Sequence, residues 1–523
     1  MAKSRKPSKT RRRGISFGHD QLPRSLEEIK ELLDFVLQDA TDVVRREILL
    51  GTERKHKVLV LFTEGLVDKA EVENHIIRPI LIDARLTPPS YATPSQAFEY
   101  LEAALVSTAS ATRVETMDEV ILAVMSGVSA VFVDGHNQAL LFETKGWPTR
   151  SVSEPAVENV IRGPRDAFTE TLRVNTALIR RRWRDPNIVF KPLKLGRRSK
   201  TDVAMVYVGD LADPKLVEEV EKRLLEIDSD IVLESGLVEQ LIEENSYTPF
   251  PTCQTTERPD SVVGAIAEGR IGIIVDGAPL VLLVPTTLNT LMQSPEDYYN
   301  RWYVTTLARL VRFVGNFFAL VLPGLYIALT SFHPEMLPTA LAQSIAGSRV
   351  GVPFPAALEA FVMQGALELL QEAGVRLPSA IGQTVGIVGG LIVGEAAVSA
   401  GLVSPGIVIV IALTAISSFS LPSWPLATAF RGLRILIMLG ASLFGLFGVV
   451  VVCWLIMVHL LSLKSFGVPY LAPWAPLKLG DLKDSLVRLP LEVFRRRPSI
   501  YGSADKERQR PIQSDQKGTQ DDA

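Results

Sequence analysis

The chain has 523 residues, of which 47% are hydrophobic, and a formal net charge of −3 at pH 7. This length is greater than that of one ordinary domain. The small net charge identifies no partner, because it is an average over regions of different composition. The only two cysteines, Cys253 and Cys453, exclude a disulfide framework and a cysteine-based metal site. The sequence contains no Gly-Lys-Ser/Thr phosphate loop and no Gly-x-Ser-x-Gly elbow, so nothing in it supports an enzyme or a cofactor.

A basic arm opens the chain, and we expect residues 1–24 to be disordered. Its basic residues are Lys3, Arg5, Lys6, Lys9, Arg11, Arg12 and Arg13. One interpretation is a contact with anionic lipid or nucleic acid; the other is a solvated tail on the cytoplasmic side. The first 20 residues have no apolar core, so we expect no signal peptide.

The region before residue 300 reads as soluble α/β structure. Helical spacing of apolar residues covers 24–50, HKVLVLFTEG (56–65) reads as a buried strand, and 68–81 reads as an amphipathic helix. A further helix is predicted over 166–183. It ends in a basic run, which predicts a contact with headgroups or an acidic partner, or simply a solvated face.

A repeat divides this soluble region. Residues 125–144 resemble residues 267–286: each segment has a glycine, an apolar strand, Val-Asp-Gly and a second apolar strand. The pairs Asp134-Gly135 and Asp276-Gly277 suit tight hairpin turns. We therefore predict two related α/β subdomains, although two independent hairpins would give the same pattern. The predicted subdomains cover residues 25–155 and 156–300.

The second half of the chain is predicted to be an all-α membrane domain with several spans. Between residues 381 and 461 the only fixed charges are Glu395, Arg431 and Arg434. About 20 apolar residues cross a bilayer core of about 30 Å. Residues 311–332 and 432–461 read as spans, and Pro422 and Pro425 should end or kink a helix between them.

The positions of the basic residues do not fix the number of membrane spans. Basic residues before the first span and after the last favour both ends inside, which requires an even number of crossings. We prefer four crossings in a membrane domain of residues 301–465, and five is the alternative. Residues 466–523 are then a cytoplasmic segment with a disordered tail.

A glycine stripe predicts close helix packing in the membrane. Its members recur at every fourth residue: Gly382, Gly386, Gly390 and Gly394. A face without side chains lets another helix approach, either between protomers or within the chain. Glu395 follows the stripe as an intramembrane charge, and it faces either the bundle interior or the interface at the helix end.

The helix predicted at 353–375 has a polar face and is a candidate to line a pore. That face gathers Gln364, Glu368, Gln371 and Glu372, with Glu359 opposite. Acidic rings often select cations, so copies arranged in a ring suit a cation path. The alternative is an amphipathic helix that lies in the interface and faces water.

Several long runs resemble the A subunit of the GerA-family nutrient germinant receptors of endospore-forming bacteria. They include ERPDSVVGAIAEGRIGIIVDGAPLVLLVPTTL (257–288), SPEDYYNRW (294–302) and SFGVPYLAPWAPLKLGDLKDSLVRLP (465–490), and the similarity extends over about residues 55–500.

This resemblance implies a non-enzymatic subunit in the inner spore membrane, with its soluble region on the cytoplasmic, core side. It implies a homo-oligomer that acts with a transporter-like B subunit and a lipoprotein C subunit as a nutrient-gated cation channel. The expected partners are these subunits and lipid, without nucleic acid. A non-conducting membrane scaffold that relays a signal is the alternative. A secondary transporter would need paired broken helices in inverted halves.

Overall fold

A computed structural model describes residues 21–37, 40–50, 56–84, 93–105, 111–146, 155, 158–376 and 394–509. The chain separates into two compact units. The sheet unit comprises Met1–Glu243, Thr255–Pro285 and Phe494–Ala523, and the helical unit comprises Glu244–Gln254 and Thr286–Val493. The basic arm, apart from its last residues, lies outside the described residues.

The sheet unit contains two five-stranded sheets with the same strand order. In each sheet the neighbours run first, second, fourth, fifth, third along the chain. The first sheet consists of β1 (Val43–Leu50), β2 (His56–Thr63), β3 (Ala111–Val114), β4 (Val128–Val133) and β5 (Ala139–Glu143). The second consists of β6 (Ile188–Leu195), β7 (Thr201–Val208), β8 (Gln254–Thr256), β9 (Ile271–Val275) and β10 (Val281–Val284).

Helices cover both faces of the first sheet, which explains why β2 is apolar at almost every position. Leu59 and Leu61 belong to one buried cluster, whereas Val58, Val60 and Phe62 belong to the other, as the alternation of side chains along a strand requires. The helices of the sheet unit are Leu26–Val36, Lys69–Glu71 with its wide π-type continuation Val72–Ile77 and Pro79–Asp83, Pro94–Leu105, Met117–Val124, Leu172–Arg182, Pro214–Leu225, Ser235–Ile242 and Pro259–Ala267.

The two Asp-Gly pairs occupy equivalent hairpins, between β4 and β5 and between β9 and β10. Gly135 and Gly277 have the same φ of 86°, a left-handed conformation that glycine adopts without strain. Each preceding aspartate also caps the N-terminus of a helix elsewhere in its own subdomain. The Oδ1 atom of Asp134 accepts from Leu26 N at 3.0 Å, and that of Asp276 accepts from Leu172 N at 2.9 Å.

These aspartates replace ordinary N-caps. The helices that start at Leu26 and Leu172 have no side-chain hydrogen bond from their own N-cap residues, so their first N–H groups need another acceptor. A carboxylate also interacts favourably with the positive end of a helix dipole. The repeat in the sequence therefore corresponds to a repeated contact between hairpin and helix.

A buried ion pair joins the two sheets within the sheet unit. Arg180, which is 1% exposed, donates from Nε and Nη2 to Asp42 Oδ2 and Oδ1 at 2.8 and 2.9 Å. Its remaining N–H groups reach the carbonyls of Asp185 and Ile188, both at 2.7 Å. The predicted basic helix thus begins later than expected, at Leu172, and one of its arginines is internal rather than solvated.

The segment that follows the helical unit returns to the sheet unit. Ser503 Oγ donates to the carbonyl of Glu268 at 2.5 Å, and Ala504 N donates to that of Leu211 at 3.0 Å. Contacts with the sheet unit therefore extend beyond Gly502, after which the sequence suggested a disordered tail.

The helical unit contains two helices with the length and apolar composition needed to cross a membrane, among the residues that the structure describes. They are Trp302–Ser331 and Trp424–Ser462, with mean hydropathies of 1.8 and 2.7 in their most apolar windows. Less than half of each window is buried, so large apolar side chains such as Phe317 and Phe447 face outward. An apolar outer face of this size is typical of a surface that meets lipid or protein. The other helices are Leu288–Leu291, Thr339–Ser348, Ala356–Arg376 and the short apolar Pro405–Ser418.

The last long helix folds back on itself at Gly445. This residue has φ 61° and ψ −139°, a region that is essentially restricted to glycine. Beyond the bend the two arms approach so closely that a Cβ atom on Gly448 would lie 1.9 Å from the carbonyl oxygen of Gly440. Leu433 and Leu460 share one buried cluster, as expected for antiparallel arms. The single span predicted at 432–461 is therefore a helical hairpin.

The prolines before this hairpin act as predicted. Pro405–Ser418 ends before Pro422, and Pro425 lies in the first turn of the next helix. Proline is tolerated there because the first N–H groups of a helix have no internal partner.

We predict that Arg180→Met destabilises the sheet unit by about 3–5 kcal/mol, because Asp42 would remain buried without its partner. The measurement is native-state hydrogen exchange of amides in β2 and β7 of the full chain. Arg181→Met is the matched control, since Arg181 forms a half-exposed pair with Asp166 and should change the exchange free energy by less than about 1 kcal/mol. Equal effects of the two substitutions would contradict the assigned role.

We also predict that Gly445→Ala lowers the melting temperature of the full chain in detergent. The new Cβ would lie 2.8 Å from Cβ of Phe332, in a backbone conformation that alanine disfavours. Gly432→Ala is the control, since nothing lies within 4 Å of its added Cβ and alanine favours a helix by about 1 kcal/mol. A melting temperature unchanged by Gly445→Ala would rule out the bend.

Candidate functional site: polar clusters within the helical unit

The four pore-lining candidates lie on Ala356–Arg376, close to the predicted range. Gln364 is 2% exposed, and its Nε2 donates to Glu368 Oε1 at 2.8 Å. Arg431 of the last long helix lies 3.6 Å from Glu368 Oε2 and donates to Gln371 Oε1 at 3.4 Å. Glu372 is exposed. Gln364, Glu368 and Gln371 are therefore linked to one another or to Arg431 in this conformation.

Arg434, one turn beyond Arg431, is wholly buried in the same layer. Its Nε donates at 2.6 Å to the carbonyl of Ala319, and its Nη2 donates at 2.7 Å to Ser418 Oγ. The carbonyl of Ala319 has lost its usual helical partner, since residue 323 is a proline and carries no N–H. Arg434 thus satisfies a carbonyl that Pro323 leaves free, which matters most where water is excluded.

Besides Gln364 Oε1, this layer contains two more buried polar atoms without a hydrogen bond. They are Arg434 Nη1 and Asn316 Nδ2, whose neighbour Ser420 Oγ donates to Asn316 Oδ1 at 3.3 Å. The sequence showed the two arginines but gave no sign that they face inward toward Asn316 and Glu368. The one available signal was that two arginines interrupt a long apolar run.

Glu359 lies apart from the four candidates and is fully buried. Its Oε1 is 3.2 Å from Arg349 Nη2, and its Oε2 accepts from Ser404 N at 2.8 Å. Ser404 is the N-cap residue of Pro405–Ser418, so this carboxylate helps to start that helix. The role of Glu359 is therefore structural. The sequence predicts only that it lies on the face of the helix opposite the four candidates.

Only the end of the predicted glycine stripe is described. Gly382, Gly386 and Gly390 lie outside the described residues. Gly394 is buried, and an added Cβ would lie 3.3 Å from Val408 Cγ1 of the same chain. Glu395 is exposed. The described member of the stripe therefore packs against a helix of its own protomer.

A second polar cluster surrounds the start of Trp302–Ser331, and we call it the arginine cluster. It contains Asp297, Arg309, Arg312, Asp484 and Arg488. Arg309 donates from Nε to Asp297 at 3.0 Å and from Nη1 to Asp484 at 2.9 Å, while Arg312 holds both oxygens of Asp297 at 3.0 and 3.2 Å.

Arg488 closes this cluster from the end of the helical unit. It donates from Nη1 to the carbonyl of Asn300 at 2.8 Å, and its own backbone N donates to Thr306 Oγ1 at 3.2 Å. Arg309 and Arg488 also stack over the ring of Tyr298, with guanidinium carbons 5.8 and 5.4 Å from its centre. Burial lowers the pKa of Arg488, and Asp484 opposes that shift. This cluster could not be recognised in the sequence, where Arg309, Arg312 and Arg488 are only basic residues that flank the predicted spans and indicate their orientation.

The described residues contain no group of three or more His, Cys, Asp or Glu side chains that could hold a metal ion.

Comparison with known proteins identifies the family of this chain. The model for the Bacillus/Clostridium GerA spore germination protein matches residues 30–500. The chain belongs to the GerA family. Both SPEDYYNRW, which carries Asp297 and Tyr298, and SLVRLP, which carries Arg488, lie within the matched GerA region.

Individual GerA relatives cover almost the whole chain. Spore germination protein B1 of Bacillus subtilis (strain 168) is 41% identical over 94% of this chain and 100% of its own length. Spore germination protein KA of the same organism is 41% identical over 90% of this chain and 85% of its own. A third B. subtilis relative, the uncharacterized membrane protein YfkQ, is 41% identical over 91% of both chains.

A solved structure also matches part of the chain. The N-terminal domain of the A subunit of the Bacillus megaterium spore germinant receptor GerK3 is 32% identical, with a TM-score of 0.41, and covers 51% of this chain and 96% of its own. The family model and the relatives above confirm the resemblance found in the sequence. At the level of the family, the relatives named as spore germination proteins agree with a non-enzymatic role.

We predict that Arg434→Met and Pro323→Ala are energetically coupled. In the Arg434→Met variant the carbonyl of Ala319 loses its partner, which costs about 1–3 kcal/mol for a buried group. Pro323→Ala restores an N–H that can satisfy this carbonyl, so it should stabilise the Arg434→Met chain more than it stabilises the unmodified chain. Melting of the four chains in one detergent measures the coupling. Strictly additive effects would contradict the assigned hydrogen bond.

Proposed function

We propose that this chain is a membrane subunit of a spore germinant receptor, and that copies of it surround a nutrient-gated cation path. Membership of the GerA family supports the receptor role. Two observations support the membrane location: two apolar helices have outward apolar faces, and the relative YfkQ is named as a membrane protein.

In the proposed topology both ends of the membrane domain lie on the cytoplasmic, core side of the spore inner membrane. The supporting observation is that Thr306, near the start of the first long helix, contacts Arg488 beyond the last one. Contact between the two ends favours an even number of crossings.

The polar row on Ala356–Arg376 is the single observation that best supports an ion path. Two carboxylates and two amides follow one another along one helix of this unit, and Arg431 contacts the middle of the row. In a ring, each copy would place Glu368 and Glu372 at the same depth, and their summed charge would attract cations. We propose that the Glu368–Arg431 pair marks the closed state, and that its separation exposes the carboxylate.

A second candidate is a scaffold that relays a signal without conducting. The observation that favours it is the same pairing, because Gln364 is buried and Glu368 already has a cationic partner in a single protomer. The two candidates differ in whether this face ever meets a water-filled path.

The proposed partners are further copies of this chain, a transporter-like B subunit and a lipoprotein C subunit. We place nutrient recognition in a partner subunit, as the resemblance to the A subunits of germinant receptors implies. The glycine stripe remains a proposed packing surface, and Gly394 supports contact within the protomer.

We predict that the double variant Glu368→Gln, Glu372→Gln lowers single-channel cation conductance and germination-linked potassium release at unchanged protein level. Removing two carboxylates per copy weakens the attraction for cations along the path. Glu335→Gln is the control, because Glu335 is a well-exposed carboxylate that lies outside this row.

Cysteine substitution at positions 364, 368 and 371 tests the same proposal independently. In an active channel, thiol reagents should react at these positions and block current. Labelling that leaves the current untouched would reject the pore assignment and favour the scaffold.

A further inference from the structure

The arginine cluster holds more positive than negative charge. The ionisable side chains joined in it are three arginines and two aspartates. Arg309 and Arg488 are only 4% and 2% exposed. A buried charge is costly unless an opposite charge lies close by, so the cluster is suited to receive a further anion.

Two N–H groups of the cluster lack an acceptor. Arg309 Nη2 and Arg488 Nε are buried and have no hydrogen-bond partner. Buried donors almost always have a protein or solvent partner, and an exception calls for a specific explanation. Asp297 and Asp484 already accept hydrogen bonds from other atoms of the cluster, so neither N–H group has an acceptor among the described residues.

A small pocket opens beside Arg309. Its cavity volume is about 20 Å³, and its lining includes Arg309, Arg312, Asn289, Gln293, Ser485 and Leu486. A space of this size accepts a group as large as a water molecule, such as one oxygen of an oxyanion. The remainder of a larger ligand would stay outside the pocket.

The neighbouring side chains resemble those at a membrane interface. Trp302 and Tyr303 are 46% and 52% exposed at the start of the first long helix, and Trp474 lines the pocket. Farther along that helix the outward residues are apolar, including Val311 and Phe317. Tryptophan and tyrosine concentrate at headgroup depth. This step rests on the proposed membrane location.

We propose that the pocket binds a phosphate oxyanion, with Arg309 Nη2 donating to one oxygen and Arg312 adding its charge. The planar fork of arginine matches phosphate geometry and forms short charge-assisted hydrogen bonds with it. A lipid headgroup and inorganic phosphate both carry this chemistry. The interfacial aromatic residues and the small cavity favour the lipid, whose acyl chains would hold the phosphate at the pocket mouth.

The test is thermal melting of the purified full chain in a neutral detergent at fixed ionic strength. Three probes are titrated separately: dihexanoyl phosphatidylglycerol, inorganic phosphate and dihexanoylglycerol, which has no phosphate. The phosphatidylglycerol should raise the melting temperature saturably, phosphate should do so at higher concentration, and dihexanoylglycerol should not. No conductance is measured, and the phosphate titration needs no membrane, so this result is independent of the proposed channel.

Three variants locate the site. Leu486→Glu places a carboxylate at the pocket, where it would pair with Arg309 and repel phosphate. We expect its half-saturating concentration to rise by about tenfold or more, equivalent to about 1.4 kcal/mol. Leu486→Gln, which has the same shape without the charge, should respond like the unmodified chain. So should Val487→Glu, which adds the same charge at an exposed neighbour outside the pocket lining.

Arg312→Gln provides a second route if Leu486→Glu does not fold, because Arg309 keeps its own bonds to Asp297 and Asp484. Its half-saturating concentration should also rise. Equal potency of phosphate and phosphatidylglycerol would support the oxyanion site and identify free phosphate as its ligand. No saturable shift with either probe would overturn the proposal, as would an unchanged response in both Leu486→Glu and Arg312→Gln.

Discussion

A buried guanidinium group needs oxygen acceptors for its N–H groups, and this need organises both units of the chain. Four of the largest fully buried side chains are arginines: Arg180, Arg258, Arg434 and Arg488. Leaving such a group unpaired away from water costs more than almost any apolar defect. Each arginine therefore bonds at least two oxygen acceptors at once, often from segments that are distant in sequence.

In the sheet unit this constraint joins two copies of one topology. Asp42 precedes the first strand of one sheet, and Arg180 ends the first helix of the other subdomain, so the pair aligns sheets that are otherwise complete by themselves. In the helical unit, Arg434 compensates for Pro323, and Arg488 ties the segment after the last helix to the start of the first. The polar row on Ala356–Arg376 is held in the same way, by Arg431.

The sequence predicted elements and repeats better than it predicted partners. Local patterns are sufficient for the strand at 56–65, the Asp-Gly hairpins, the proline-limited helix ends and the polar helix near 353–375, because each depends on residues close together in the chain. The capping of Leu26 by Asp134 joins residues 108 apart, and the bond between Arg309 and Asp484 joins residues 175 apart. No spacing rule reveals such contacts.

The bend at Gly445 is a further feature that local sequence patterns do not reveal. A window of hydropathy sees one long apolar run, since glycine and its neighbours are all compatible with a helix in a membrane. Only the close approach of Gly440 and Gly448 distinguishes a hairpin from a straight span. Burial of Arg180 and Arg434 was hidden for a related reason, because composition marks arginine as a surface residue.

The central claim is that copies of the helical unit enclose a path for cations. It is tested most directly by recording single channels from the purified full chain in a planar bilayer under a tenfold gradient of potassium chloride. The account predicts openings whose reversal potential lies close to the cation value, about 59 mV for an ideally selective monovalent pathway. A bilayer that stays silent with correctly assembled protein and its partner subunits, or a reversal potential of the opposite sign, would contradict it.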